Sequence, residues 1–137
     1  MRARIFSAFC DGQLAAELRL GCPYYAQERD LRLPGRRLHT VRHLYVWPAY
    51  RGRGFANEVV GNACRWSDIY HWDLTLYVAR IGRHGLTSEQ LIALYVNHGF
   101  TVVPGPYRYP AMVRRWQERP ASRTRSETAP ASALATS

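Results

Sequence analysis

Leu44-Tyr45-Val46-Trp47-Pro48-Ala49-Tyr50-Arg51-Gly52-Arg53-Gly54-Phe55-Ala56 is the stretch on which the reading of this chain turns. It closes a segment, Leu38–Val46, that reads as a strand and ends before Pro48. After it, Phe55, Val59, Val60, Ala63 and Trp66 recur at helical spacing to about Tyr70. Between strand and helix stands Arg51-Gly52-Arg53-Gly54. A glycine turn that feeds a helix start makes an anion site. The first helical N–H groups lack intrahelical partners, and the helix dipole adds partial positive charge there. Glycine lets the backbone approach a phosphate with no Cβ in the way, and the two arginines add full charges.

Two common phosphate motifs do not fit. A Walker A loop needs a lysine, and this chain has none. A dinucleotide fingerprint needs a third glycine, and Asn57 stands in its place.

Outward from this stretch the pattern is regular. Arg4–Cys10 is an apolar strand, and Asp11-Gly12 suits a tight hairpin turn. The next strand alternates, with Leu14, Ala16, Leu18 and Leu20 on one face and Gln13, Ala15, Glu17 and Arg19 on the other. Gly21 to Arg37 reads as a long connection, with Pro23, Pro34 and Gly35. Leu74–Ala79 reads as a buried strand. A second helix begins near Thr87, where Thr87 and Gln90 have capping-box spacing, and it stops at Gly99. Phe100–Val103 and Ala111–Trp116 read as final strands. The expected order is β-β-β-α-β-α-β-β, an α/β fold with a mixed, mostly antiparallel sheet and two main helices. Residues 1–117 form the domain. Residues 118–137, rich in Pro, Ser, Thr and Ala without an aromatic, read as a disordered tail.

The central stretch resembles the acyl-CoA-binding motif [Q/R]xxGx[G/A] of the GNAT acetyltransferase superfamily, present as Arg51-Gly52-Arg53-Gly54-Phe55-Ala56. Leu94-Tyr95-x-x-x-Gly99-Phe100 resembles the family's late helix ending. The resemblance covers roughly residues 4–116 and implies acetyl-CoA as cosubstrate. It implies that backbone amides of Arg53, Gly54, Phe55 and Ala56 hold the pyrophosphate, with Arg51 and Gly52 also among the cofactor-binding residues. The strand edge at Leu44, Tyr45 and Val46 would pair with the pantetheine arm. An acceptor primary amine would attack the thioester directly in a ternary complex, with a backbone N–H polarising the carbonyl. Tyr95 occupies the family's general-acid position, although an aromatic on this helix stripe also reads as core.

The general base is less defined. The Leu38–Val46 strand carries no acid, so His43 is the candidate there, against a plain strand histidine; Glu17 on the neighbouring hairpin is another. His39 and His43 share a face in an ideal strand, but two histidines without a third ligand do not specify a metal. Ser88 stands where the family has an asparagine, and it has shorter reach toward the cofactor. The family's opening strand and two helices have no counterpart before Arg4, so a short form is expected. Its acceptor site is then more open, or walled by Gly21–Arg37 or a second subunit.

Composition bounds the partners. All 19 basic residues are arginine, and the net charge is +9. Such charge disfavours polyamine acceptors and favours polyanions. Arg29, Arg32, Arg36, Arg37 and Arg42 follow Tyr24 and Tyr25, a composition compatible with nucleic acid as well as with a solvated loop. An acceptor amine linked to transfer RNA or a modified base is therefore an alternative, as is a non-catalytic acyl-CoA-binding module. No apolar run of membrane-spanning length and no secretory signal occurs, and three cysteines without CxxC spacing indicate neither a disulfide framework nor a zinc knuckle. The expected setting is cytoplasmic, and an exposed edge strand leaves room for a homodimer.

Overall fold

The computed structural model describes residues 3–22, 37–78, 84–103 and 110–118. The Arg-Tyr-rich connection at 23–36 and the tail at 119–137 lie outside them.

Six strands form one sheet: β1 (Arg4–Cys10), β2 (Gln13–Gly21), β3 (Leu38–Val46), β4 (Asp73–Tyr77), β5 (Thr101–Val103) and β6 (Ala111–Arg114). Their spatial order is β1-β2-β3-β4-β6-β5. Only β3–β4 is parallel, and every other pair is antiparallel. Two α-helices, α1 (Phe55–Tyr70) and α2 (Ser88–Asn97), complete the expected order. Local chemistry explains the ends. Asp11 and Gly12 both have positive φ, as the hairpin turn requires. Thr87 caps α2, accepting from the Gln90 N–H at 3.1 Å while Gln90 Oε1 accepts from the Thr87 N–H at 3.0 Å. Gly99 follows α2 at φ 95°.

The helices share one side of the sheet. Trp66 of α1 packs on Phe6 and His39, and α2 meets α1 through His98 Nε2 and Asn57 Oδ1 at 2.7 Å. The core runs from Leu18, Leu20 and Leu44 through Val59, Val60 and Leu76 to Leu91, Tyr95 and Phe100.

Two bulges correct the ideal alternation. Ala8 faces Ala16 but Phe9 faces Leu14, so Ala15 is extra. Leu14 therefore shares the face of exposed Phe9 rather than that of Ala16, and Ala15, expected outward, is buried. The Ala15 carbonyl accepts the Trp47 N–H at 3.0 Å, just past the end of β3. On β3, Arg19 faces His43 but Leu20 faces Val41, so Arg42 is extra. This moves His39 and His43 to opposite faces. His39 is buried against Trp66 and Trp72 on the helix side, while His43 stacks on Tyr45 on the other. The shared face read from an ideal strand does not exist. Arg42 lies over Gly21, where an added Cβ would fall 2.9 Å from its Cδ, and donates twice to the Cys22 carbonyl.

Strand ends also shift. β4 starts one residue earlier than expected and ends at Tyr77, and β6 ends at Arg114. That end is pinned by a buried bidentate pair. Arg114 Nη1 and Nη2 donate to Asp68 Oδ1 and Oδ2 at 2.7 and 3.1 Å. The Arg114 guanidinium also reaches the His98 carbonyl and Ser67 Oγ, and the Gln117 N–H donates to Asp68.

Candidate active site

β3 and β4 pair over only three residues: Leu38 with Asp73, His39 with Leu74 and Thr40 with Thr75. Beyond them the strands part, β4 continuing with β6 alone. The far part of β3 thus has β2 on one side and, among the described residues, no strand on the other. The Trp47 N–H points to β2. In a planar trans peptide the preceding carbonyl points the opposite way, so the Val46 carbonyl faces the open side. Strand alternation turns Leu44 the same way and Tyr45 toward β2.

The glycine turn stands beside this opening. A single 3-10 turn, Pro48–Tyr50, carries the chain from β3 to Arg51. Gly52 and Gly54 have φ of 76° and 86°, which side chains other than glycine rarely adopt, and an added Cβ at either meets nothing within 4 Å. The backbone angle demands glycine, and the space in front is open. Gly54 is the N-cap of α1 and offers no capping side chain. The orphan N–H groups of the first turn therefore face that space uncapped. Arg53 lies over Tyr50 and Phe55, 5.6 and 5.7 Å from their centroids.

A cleft of about 190 Å³ joins these features. Of the residues singled out in the motif stretch, Val46, Gly52, Gly54, Phe55 and Ala56 line one wall, whereas Leu44, Tyr45, Arg51 and Arg53 do not line the cleft. The opposite wall, formed by His84, Leu86, Gln90 and Leu94, was not read from the sequence. Only the helical spacing of Gln90 and Leu94 hinted at it. The Leu86 N–H donates to His84 Nδ1 at 3.0 Å, which holds that imidazole in the wall. Burial first, and the Arg51 charge second, lower the His84 pKa. A larger groove of about 430 Å³ lies between α1 and the end of α2. It adjoins neither the glycine turn nor the β3 edge, and its Arg114 is committed to Asp68, so the smaller cleft is the candidate site.

The predicted catalytic residues separate. Tyr95 is fully buried, its ring 5.0 Å from Phe100. Leu94, its neighbour, lines the cleft; Tyr95 does not. Its hydroxyl has no hydrogen-bond partner among the described residues. Burial, with the Cys64 thiol as a smaller cause, pushes its pKa far up, so it stays a protonated phenol. His43 lies on the sheet face away from both helices, in a run of rings. It stacks on Tyr45 at 5.9 Å, and Tyr45 meets Trp47 edge-on at 4.5 Å. Glu17 stands opposite Tyr45 on that face, paired with Arg19 Nε at 2.7 Å. Both base candidates thus share one face and Tyr95 occupies the other side. Ser88 is exposed at the start of α2 and does not line the cleft.

The site's chemistry suits an acyl-CoA. Uncapped amides and an open glycine turn match a diphosphate, and a free strand edge matches an amide-bearing arm. The Tyr95 hydroxyl is a donor for which the described residues supply no acceptor. No helix among the described residues is long and apolar enough to cross a membrane.

No protein-family model matches the chain, and no curated protein matches it significantly. Solved structures do. The PaiA N-acetyltransferase of Thermoplasma acidophilum, in complex with coenzyme A, is 14% identical at TM-score 0.56, over 83% of this chain and 61% of that one. An acyl-CoA N-acyltransferase from Pseudomonas aeruginosa is 23% identical at TM-score 0.52, over 82% and 67%. The ribosomal-protein-S18-alanine N-acetyltransferase of Escherichia coli is 16% identical at TM-score 0.56, over 88% and 74%. The chain thus spans about three fifths of the Thermoplasma protein and more of the others.

Proposed function

We propose that this chain, whose fold is that of the GNAT N-acetyltransferases, transfers an acetyl group from acetyl-CoA to a primary amine. The observation that carries this reading is the coincidence, in one cleft, of an unpaired β3 edge and the uncapped start of α1 behind Gly54. Bound acetyl-CoA supplies an activated acyl group as a thioester. The amides of the first α1 turn bind its diphosphate, and the Leu44 and Val46 backbone aligns the pantetheine arm. The acceptor approaches from the face of His43, Tyr45 and Glu17. Either His43 or Glu17 takes the proton that the amine must lose.

Tyr95 serves the leaving sulfur first as a hydrogen-bond donor. With its pKa raised by burial, outright proton transfer to a thiolate whose conjugate acid lies near 8.5 is uphill. A hydrogen bond from a desolvated phenol to developing charge is strong. Tyr95→Phe gives two signs. Removing an unpaired buried hydroxyl is expected to raise stability by about 1 kcal/mol. Turnover is expected to fall about tenfold to a hundredfold. Urea unfolding and thiol-release assays on one preparation read both, and full turnover in the variant rejects the role.

A second reading follows from the burial of Tyr95 away from the cleft: acyl-CoA binding without transfer. A thermal shift with acetyl-CoA, followed by thiol release across an amine panel, separates the two. A shift without release on any amine favours the binding module. No shift at all rejects both.

A further inference from the structure

The Arg51 side chain is held on two sides. Its Nε donates to the Val46 carbonyl at 2.9 Å. Its stem lies against Gly85, where an added Cβ would fall 2.5 Å from Arg51 Cδ and 3.0 Å from Nε. Val46 belongs to one wall of the cleft, and Gly85 sits between His84 and Leu86 of the other. One arginine therefore ties the walls together. The His84 imidazole, beside it, feels its charge.

The carbonyl that Arg51 holds is the one the open β3 edge would offer to an incoming arm. The guanidinium has a better partner two residues on, where the Gly52–Gly54 turn and the α1 start create an anion site. A planar guanidinium binds phosphate oxygens through two charge-assisted bonds, each stronger than one to a neutral carbonyl. We propose that Arg51 is a latch that sets the donor class: a diphosphate draws it off Val46 and opens the strand edge, so the site takes nucleotide-linked thioesters and resists thioesters on a bare pantetheine arm.

The selectivity is a matter of differential affinity. A ligand with a diphosphate offers Arg51 a replacement as it takes the carbonyl. A ligand without one breaks the Val46 bond and returns nothing. This inference rests on the acyl-CoA reading above.

The test compares coenzyme A with pantetheine, measured by calorimetry on the full chain and on Arg51→Met. Methionine keeps an apolar stem against Gly85 and removes the donor and the charge. Coenzyme A is expected to bind about tenfold more weakly to the variant and pantetheine severalfold more tightly. Arg51→Lys, which keeps the charge but loses the fork, falls between and serves if Arg51→Met does not fold. Opposite signs for the two ligands support the latch. Two affinities that move together, or pantetheine binding that does not improve, overturn it while leaving the acyl-CoA reading intact. Failure of the unsubstituted chain to bind coenzyme A overturns that reading and the latch with it.

Discussion

The two ends of this sheet handle polar groups in opposite ways. At the Arg114 end the buried ion pair is fully matched, although His39 Nδ1, level with Arg114 across Leu74, has no partner among the described residues. The guanidinium reaches Asp68, Ser67 and the His98 carbonyl, and Asp68 also accepts the Gln117 N–H. At the glycine-turn end β3 beyond Thr40 has no second partner strand among the described residues, and the α1 start carries no side-chain cap. Buried polar groups in folded proteins are nearly always satisfied. The open strand edge and the uncapped helix start are the features that the proposed site uses.

The sharpest way to break the contrast is to damage the satisfied end. Asp68→Ala leaves the buried Arg114 guanidinium without its counter-charge, and is expected to cost about 4 kcal/mol in urea unfolding. The glycine-turn end should respond in binding instead. Gly54→Glu puts a side chain at φ 86° and a negative charge where the diphosphate belongs. Acetyl-CoA should then lose at least about a hundredfold in affinity, some 2.7 kcal/mol, which abolishes the thermal shift. A variant that binds normally would remove the anion site from the account.

A third test uses pH. Burial first, then Arg4 and Arg37, lowers the His39 pKa to about 4. In the unfolded chain its pKa is near 6.5. As pH falls, the unfolded state takes the proton first, so stability present above pH 6.5 is lost between 6.5 and 4. The loss is of order 2 kcal/mol. His39→Gln should flatten that limb of the stability curve. The smallest effect belongs to the α2 cap: Thr87→Ala should cost about 1 kcal/mol. Because α2 carries Gln90 and Leu94 into the cleft wall, acetyl-CoA affinity should weaken slightly with it.

What the sequence made legible was local. The Asp11-Gly12 turn, the Thr87–Gln90 cap and the Gly52–Gly54 turn each depend on neighbours within a few residues, and each stands as read. The bulges at Ala15 and Arg42 depend on which strand lies alongside, so ideal alternation misassigned Leu14 and paired His39 wrongly with His43. The Arg114–Asp68 pair joins residues 46 apart, and nothing in either neighbourhood announces it. One wall of the cleft was readable because a glycine turn has its own signature. The His84–Leu86 wall has none, since it acquires meaning only by facing Val46 across the opening.

The three rungs between β3 and β4 have a bearing on how the chain assembles. On one side of that seam, β1, β2 and β3 form a meander drawn wholly from residues 4–46. On the other, β4, β6 and β5 come wholly from residues 73–114. The seam is one of two non-local closures: Leu38, His39 and Thr40 meet Asp73, Leu74 and Thr75, and Leu74 to Tyr77 of β4 meet Arg114 to Ala111 of β6 across β5 and α2. Contacts distant in sequence carry a larger closure entropy and form later. The seam has three rungs against four for β4–β6, so its few amides should be among the first in the central sheet to exchange with solvent in the native protein.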